Sequence, residues 1–263
     1  MAKIEISLQE RRLIQLKMLD EFHAFCESNN LRYSLAFGTL IGAIRHKGFI
    51  PWDDDVDIMM PLPDMIKLKE SLVSKTIKYC DVDTEKHFEY AFSRLAYNET
   101  YSKRGITFKS YGVNIDLYPV FNVPDSNQES YTYFERGRKL LKKRLLYIGV
   151  RNRIISKLPV STIPGFDHVV RRYRDYMLFN NCPYGTTNHY FVFGGSLDKK
   201  EREACIFDFD PFKEIIKIDF EGHQYNATSR YHNFLTQCYG DYMQLPPEDQ
   251  RHPYHGGHYF WRE

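Results

Sequence analysis

The stretch FGTLIGAIRHKGFIPWDDDVDI, residues 37–58, decides how the rest of the chain is read. It joins a Gly-Thr turn, a short apolar run, a basic cluster and four aspartates. Asp53, Asp54, Asp55 and Asp57 follow directly on Pro51-Trp52. Four like charges so close repel one another, and no fold needs them together. A divalent cation reverses the sign of that effect, because hard ions such as Mg²⁺ take carboxylate oxygens and substrate phosphates. In Asp55-Val56-Asp57-Ile58 acid alternates with apolar residue. On a strand alternate residues share a face, so Asp55 and Asp57 are predicted to point one way, about 7 Å apart, and Val56 and Ile58 into the core.

Working outward, Ser7-Leu8-Gln9-Glu10 is a capping box and predicts a helix from Leu8 to Ser28. Residues 31–37 alternate and stop at Gly38, which predicts a strand; residues 39–46 then read as a short helix ended by Lys47-Gly48. Strand, tight glycine turn and helix N-terminus present backbone N–H groups to an anion. An extended segment is expected over 51–60, a helix over 61–75, and strands at 78–82, 89–97 and 111–120. In the last of these Asp116 stands between Ile115 and Leu117, a third acid on a strand. If that strand lies beside the first, three carboxylates converge. Their mutual repulsion leads us to expect that losing Asp116 costs no stability without metal.

Beyond residue 125 the pattern changes. A helix is expected over 130–156, with nine bases and no acid between Arg136 and Lys157. Such a face is either solvated or a surface for anionic lipid or a polyanionic acceptor. A second helix is expected at 168–180, a strand entering a Gly-Gly turn at 191–198, an extended pair over 207–220 with a turn near Asp210-Pro211, a hairpin turn at 221–224, and a helix from Tyr231 to Tyr239 stopped by Gly240. His252, His255 and His258 recur at threes in the tail, a spacing that matches no zinc motif.

Composition bounds the rest. The 263 residues are 43% hydrophobic, enough for a buried core. The net charge of +2 gives no ground for nucleic-acid binding. No apolar run is long enough to span a membrane, MAKIEISLQE has no apolar signal region, and the five scattered cysteines suit reduced thiols. A cytoplasmic protein, peripheral at the inner face of the membrane, is the expectation.

Gly38-Thr39, Asp55-Val56-Asp57-Ile58 and Ile115-Asp116-Leu117 together resemble a nucleotidyltransferase-fold enzyme. The longer string GTLIGAIRHKGFIPWDDDVDI is similar to the LicD family of phosphocholine and related phospho-alcohol transferases, which includes the fukutin-related transferases. Tyr239-Gly240-Asp241-Tyr242 and Leu245-Pro246-Pro247 also resemble that family's C-terminal region. The likeness spans about residues 31–251, with its specific motifs in a few short stretches. It implies an α+β fold: a nucleotidyltransferase-like small mixed sheet flanked by helices, in a core of residues 1–125. A helical and irregular C-terminal extension, 126–263, would pack on that core as one compact unit.

The resemblance further implies transfer of a phospho-alcohol from CDP-choline or another CDP-alcohol to a sugar hydroxyl of a lipid-linked glycan acceptor, with release of CMP. Asp55 and Asp57 would hold Mg²⁺, one ion or two. Asp53 would complete the shell, and Asp116 would ligate a second ion or take the acceptor's proton. Gly38 and Thr39 would contact phosphate, and Arg45, Lys47 and Arg94 would balance its charge. Trp52 would face a quaternary ammonium or pack in the core. Two rival readings are nucleotidyl transfer with release of pyrophosphate, and a non-catalytic module binding a membrane surface.

Overall fold

A computed structural model describes residues 4–86, 88–104, 108–154, 165–195, 197–252 and 258–262. In chain order the elements are α1 (Leu8–Ser28), β1 (Ser34–Leu35), α2 (Phe37–Arg45), β2 (Asp57–Pro61), α3 (Leu62–Ser71), β3 (Ile77–Cys80), β4 (Ser93–Tyr97), β5 (Thr100–Arg104), β6 (Phe108–Tyr111) and β7 (Asn114–Val123). Then come α4 (Asn127–Ile154), α5 (Phe166–Phe179), β8 (His189–Val192), α6 (Lys199–Ala204), β9 (Ile206–Phe207), β10 (Ile215–Phe220), β11 (His223–Thr228), α7 (Tyr231–Tyr239) and β12 (Tyr259–Trp261).

The architecture is α+β. A curled mixed sheet runs β1-β2-β7-β4-β3, with β8 and β9 added beyond β7. Only the β2–β7 pairing within it is parallel; the other neighbours are antiparallel. Strand β7 organises the sheet. Its first half is flanked by β2 and β4, and its second half takes β8. It is buried along nearly its whole length, as a central strand must be. Helix α1 starts where the capping box predicts, with Glu10 and Ser7 bonded reciprocally. Its Met18, Leu19, Phe22 and Cys26 are buried in the main core. A second core joins α4 and α5 to the far end of the sheet through Phe121, Phe134, Tyr173 and Phe193. The hairpin β10–β11 turns at Glu221-Gly222 and closes the sheet's other end, where Thr228 N–H donates to Ser34 Oγ at 2.9 Å.

Several boundaries move. Only Ser34–Leu35 pair as a strand where 31–37 was expected. Phe37 is held at φ +43 and already opens α2, so the chain turns two residues early. Strand β2 starts at Asp57 rather than Pro51. Its five residues are all buried, so the half-exposed alternation expected across Asp55 to Ile58 gives way to a strand covered on both faces. The hairpin β5–β6 and helix α6 fall where no element was expected, whereas α4, α5 and α7 lie within a few residues of expectation. Residues 155–156 of the expected 130–156 helix, Lys157, Ser196 and His255 lie outside the described residues. Among the described residues no helix is long and apolar enough to cross a membrane.

Candidate active site

The acidic loop owes its shape to α1. Arg12 donates one terminal nitrogen to the carbonyls of Ile50 (2.9 Å), Pro51 (2.9 Å) and Asp53 (2.6 Å). Arg11, one residue earlier, forms a buried ion pair with Asp54 at 3.0 Å. One turn on, Gln15 donates to the carbonyls of Asp54 and Asn114 at 3.4 and 3.1 Å, tying the loop to β7. These three residues were missed from sequence. The signal was present in retrospect: Arg11 and Gln15 lie four apart, in helical register with Ile14 and Met18, on the face that α1 buries. From the other side Thr39 Oγ1 accepts the Asp57 N–H at 2.8 Å, and Asp57 O accepts the Ala36 N–H at 3.0 Å. The Thr39 hydroxyl, expected at a phosphate, therefore locks β2 to α2.

Asp53, Asp54 and Asp55 each bring an oxygen within 4.8 Å of the other two. Asp54 is the member already balanced, by Arg11. Asp53 and Asp55 act instead on Asp57. Burial pushes the Asp57 carboxyl well above the usual range, and the charges of Asp55, Asp116 and Asp53 add to it. Burial, then Asp55, raises Asp53 to about 7. Asp57 Oδ1 is buried without a hydrogen-bond partner among the described residues. Gly38 makes the crowding possible: a Cβ there would meet Asp53 Oδ2 at 2.8 Å and Asp57 Oδ2 at 4.0 Å. Gly38 is thus next to the carboxylates themselves, and Asp55 lies in the loop before β2 rather than on it. Three carboxylates, one with an oxygen left unsatisfied among the described residues, are a donor set suited to a hard divalent ion.

Asp116 behaves differently. The register places it directly across from Asp57 on β2 and from Arg94 on β4, as adjacent strands at 4.8 Å spacing require. Arg94 Nε lies 2.6 Å from Asp116 Oδ1, its terminal nitrogen donates to Oδ2 at 2.8 Å, and Asn114 donates to Oδ1 at 2.9 Å. The guanidinium also donates to the Tyr111 hydroxyl at 2.8 Å and lies 3.8 Å from the centre of the Tyr90 ring. Arg94 and Asp116 are both buried. The sequence reading made Arg94 a phosphate ligand and Asp116 an uncompensated charge; the fold makes them each other's partners. Tyr118, also missed, reaches both Asp57 and Asp116 with its hydroxyl, whose pKa burial and these two charges raise.

The remaining expected residues divide. Arg45 donates to the carbonyls of Tyr242 (2.7 Å) and Gln244 (3.2 Å), so it clasps the C-terminal segment instead of standing open to phosphate. Lys47 is exposed, in a left-handed turn at φ +61, and its carbonyl accepts the Glu221 N–H. Trp52 is half-buried, with the Arg251 guanidinium 5.5 Å from its ring centre and His46 edge-on at 6.4 Å. Tyr239, at the end of α7, is close enough to Asp57 and Asp53 for their charges to bear on its hydroxyl. Of the Tyr239-Gly240-Asp241-Tyr242 motif, Tyr239 is thus the member near the acids, whereas the Tyr242 hydroxyl meets His232. His258 pairs with Glu5 at 2.5 Å.

Residues 30–144 match the family described as LicD/FKTN/FKRP, nucleotidyltransferase domain. The chain is 29% identical to the lipopolysaccharide cholinephosphotransferase LicD of Haemophilus influenzae, over 95% of this chain and 97% of that protein. It is 32% identical to the human ribitol 5-phosphate transferase FKRP, over 36% of this chain and 18% of that one. An uncharacterized protein of Rickettsia prowazekii, RP689, is 38% identical over 24% of each chain.

Proposed function

Because residues 30–144 match the LicD/FKTN/FKRP domain and the likeness to a LicD cholinephosphotransferase runs along nearly the whole chain, we propose that it transfers phosphocholine, or a related phospho-alcohol, from a CDP-alcohol such as CDP-choline to a sugar hydroxyl, releasing CMP. The acceptor on this reading is a lipid-linked glycan precursor of the teichoic acid or lipopolysaccharide kind, and the enzyme works in the cytoplasm. One observation carries the proposal: Asp57 is buried beside Asp53 and Asp55 with an oxygen that no group among the described residues satisfies. Such a cluster is unfavourable alone and favourable around a divalent cation.

The residues fit Mg²⁺, with Asp55 and Asp57 as ligands and Asp53 completing the shell. Bound there, the ion would offset the diphosphate's charge and polarise the reacting phosphorus. The sugar oxygen bonds to the phosphorus that carries the alcohol, and the bridging P–O bond breaks. CMP leaves with the bridging oxygen and its electron pair. The hydroxyl proton passes to a carboxylate, a role we assign to Asp116, which Arg94 and Asn114 hold at the edge of the cluster. Gly38 keeps the approach to the acids open, and Thr39 fixes the height of β2. Lys47 supplies an exposed positive charge for the nucleotide. Trp52 already carries a guanidinium on its face, and a quaternary ammonium would take the same face by cation–π attraction.

Product analysis tests the proposal. The protein is incubated with Mg²⁺, a panel of CDP-alcohols and a GalNAc-containing acceptor. CMP should form in step with phospho-alcohol on the glycan. Pyrophosphate as the released product would overturn the reading in favour of nucleotidyl transfer.

A further inference from the structure

Helix α4 carries a face that the reaction does not use. Arg136, Lys139, Lys142 and Lys143 line a shallow groove of about 560 Å³ whose floor is Leu140 and Tyr176. Among the described residues no carboxylate forms an ion pair with any of these four cations, whereas Arg138 is taken by Glu135 at 2.9 Å. Leu146 lies one turn beyond Lys142 and is 65% exposed. The packing beneath fixes which face turns outward. Gly137 lets α5 approach so closely that a Cβ would meet Met177 Sδ at 2.7 Å. Tyr133 donates to the Met177 carbonyl at 2.6 Å and stacks on Tyr176.

We propose that this groove docks the protein on a bilayer surface rich in anionic phospholipid. Unpaired cations around an apolar floor complement a phosphate headgroup above its acyl chains. A soluble polyanion would use the charges and leave the floor and Leu146 without a role, so the apolar part selects the lipid. The groove shares no residue with the carboxylate cluster, and the proposal holds whichever reaction that cluster performs.

Vesicle co-flotation tests it, using phosphatidylcholine with and without phosphatidylglycerol. Wild type should float with the anionic vesicles and not with the neutral ones. At about a factor of five per basic residue, Lys139→Glu/Lys142→Glu/Lys143→Glu should bind at least about 100-fold more weakly, and the matching triple Gln variant should fall between. Leu146→Ser should detach at a lower salt concentration than wild type. All three variants should melt like wild type, since the altered side chains are exposed. Equal flotation with both vesicle types, or by wild type and both triple variants, overturns the proposal. So does an unchanged salt response in Leu146→Ser, which would mark a surface for soluble polyanions.

Discussion

At the scale of single residues, Asp57 and Asp116 look alike in sequence and differ in what surrounds them. Asp57 is buried among like charges with Oδ1 unsatisfied among the described residues, so Asp57→Asn should melt no lower than wild type in EDTA while losing at least about 100-fold in turnover; a thermal melt and a CMP assay check both. Asp116 is bonded to buried Arg94, so Asp116→Ala strands a guanidinium. We expect it to cost about 3 kcal/mol or more, and Arg94→Met/Asp116→Leu to recover much of that in urea titrations. This reverses the expectation drawn from the sequence, where Asp116 was one more repelling charge. Nothing local to Ile115-Asp116-Leu117 announces Arg94, which reaches it only through the β4–β7 register. The raised carboxyls also set a pH dependence. A folded-state pKa above the unfolded one means the folded protein holds protons that the unfolded chain has released. Without metal, stability should therefore fall from about pH 4 to about 7 as Asp53 ionises, with Asp57 extending the loss upward. His23 and His46, held below their usual value by burial, act in the opposite sense. Melts of wild type minus Asp53→Asn isolate the carboxyl: the difference should fall as pH rises in EDTA, and this fall should disappear in Mg²⁺.

At the scale of elements, the acidic loop is a product of two helices. The capping box and the apolar spacing of α1 were legible, and so was the glycine turn into α2. That α1 also grips residues 50–54 through Arg11, Arg12 and Gln15 was not, because those contacts close across some forty residues of chain. Burying Arg11 among apolar neighbours is costly unless Asp54 balances it, and that pairing is what separates Asp54 from the acids that face Asp57. Arg12→Met keeps much of the side chain's bulk and removes three bonds to loop carbonyls. We expect it to raise the Mg²⁺ concentration needed for half-maximal turnover about tenfold or more, with far-UV circular dichroism unchanged. An unaltered Mg²⁺ dependence would show that the loop holds its shape without α1.

At the scale of the whole molecule, the sheet does not stop at residue 125. Strands β8 and β9 extend it from β7, the β10–β11 hairpin seats on β1, and α7 brings Tyr239 to the acids. We therefore expect unfolding as one cooperative transition, and a fragment of residues 1–125 to lack a stable fold by circular dichroism. A fragment that melts cooperatively on its own would contradict this. The α+β class was readable from strands, glycine turns and helical periodicity in the first half. The second half was harder, because β8, β9 and α6 are short and depend on partners distant in sequence. What unites the molecule is the claim that its organising carboxylates form a divalent-ion site. The most direct measurement is Mn²⁺ binding, followed by electron paramagnetic resonance, in wild type and Asp57→Asn. Wild type should bind one or two ions, displaced by Mg²⁺, and the variant should bind at least about tenfold more weakly. No bound Mn²⁺ in wild type, or equal binding in both proteins, would contradict that claim.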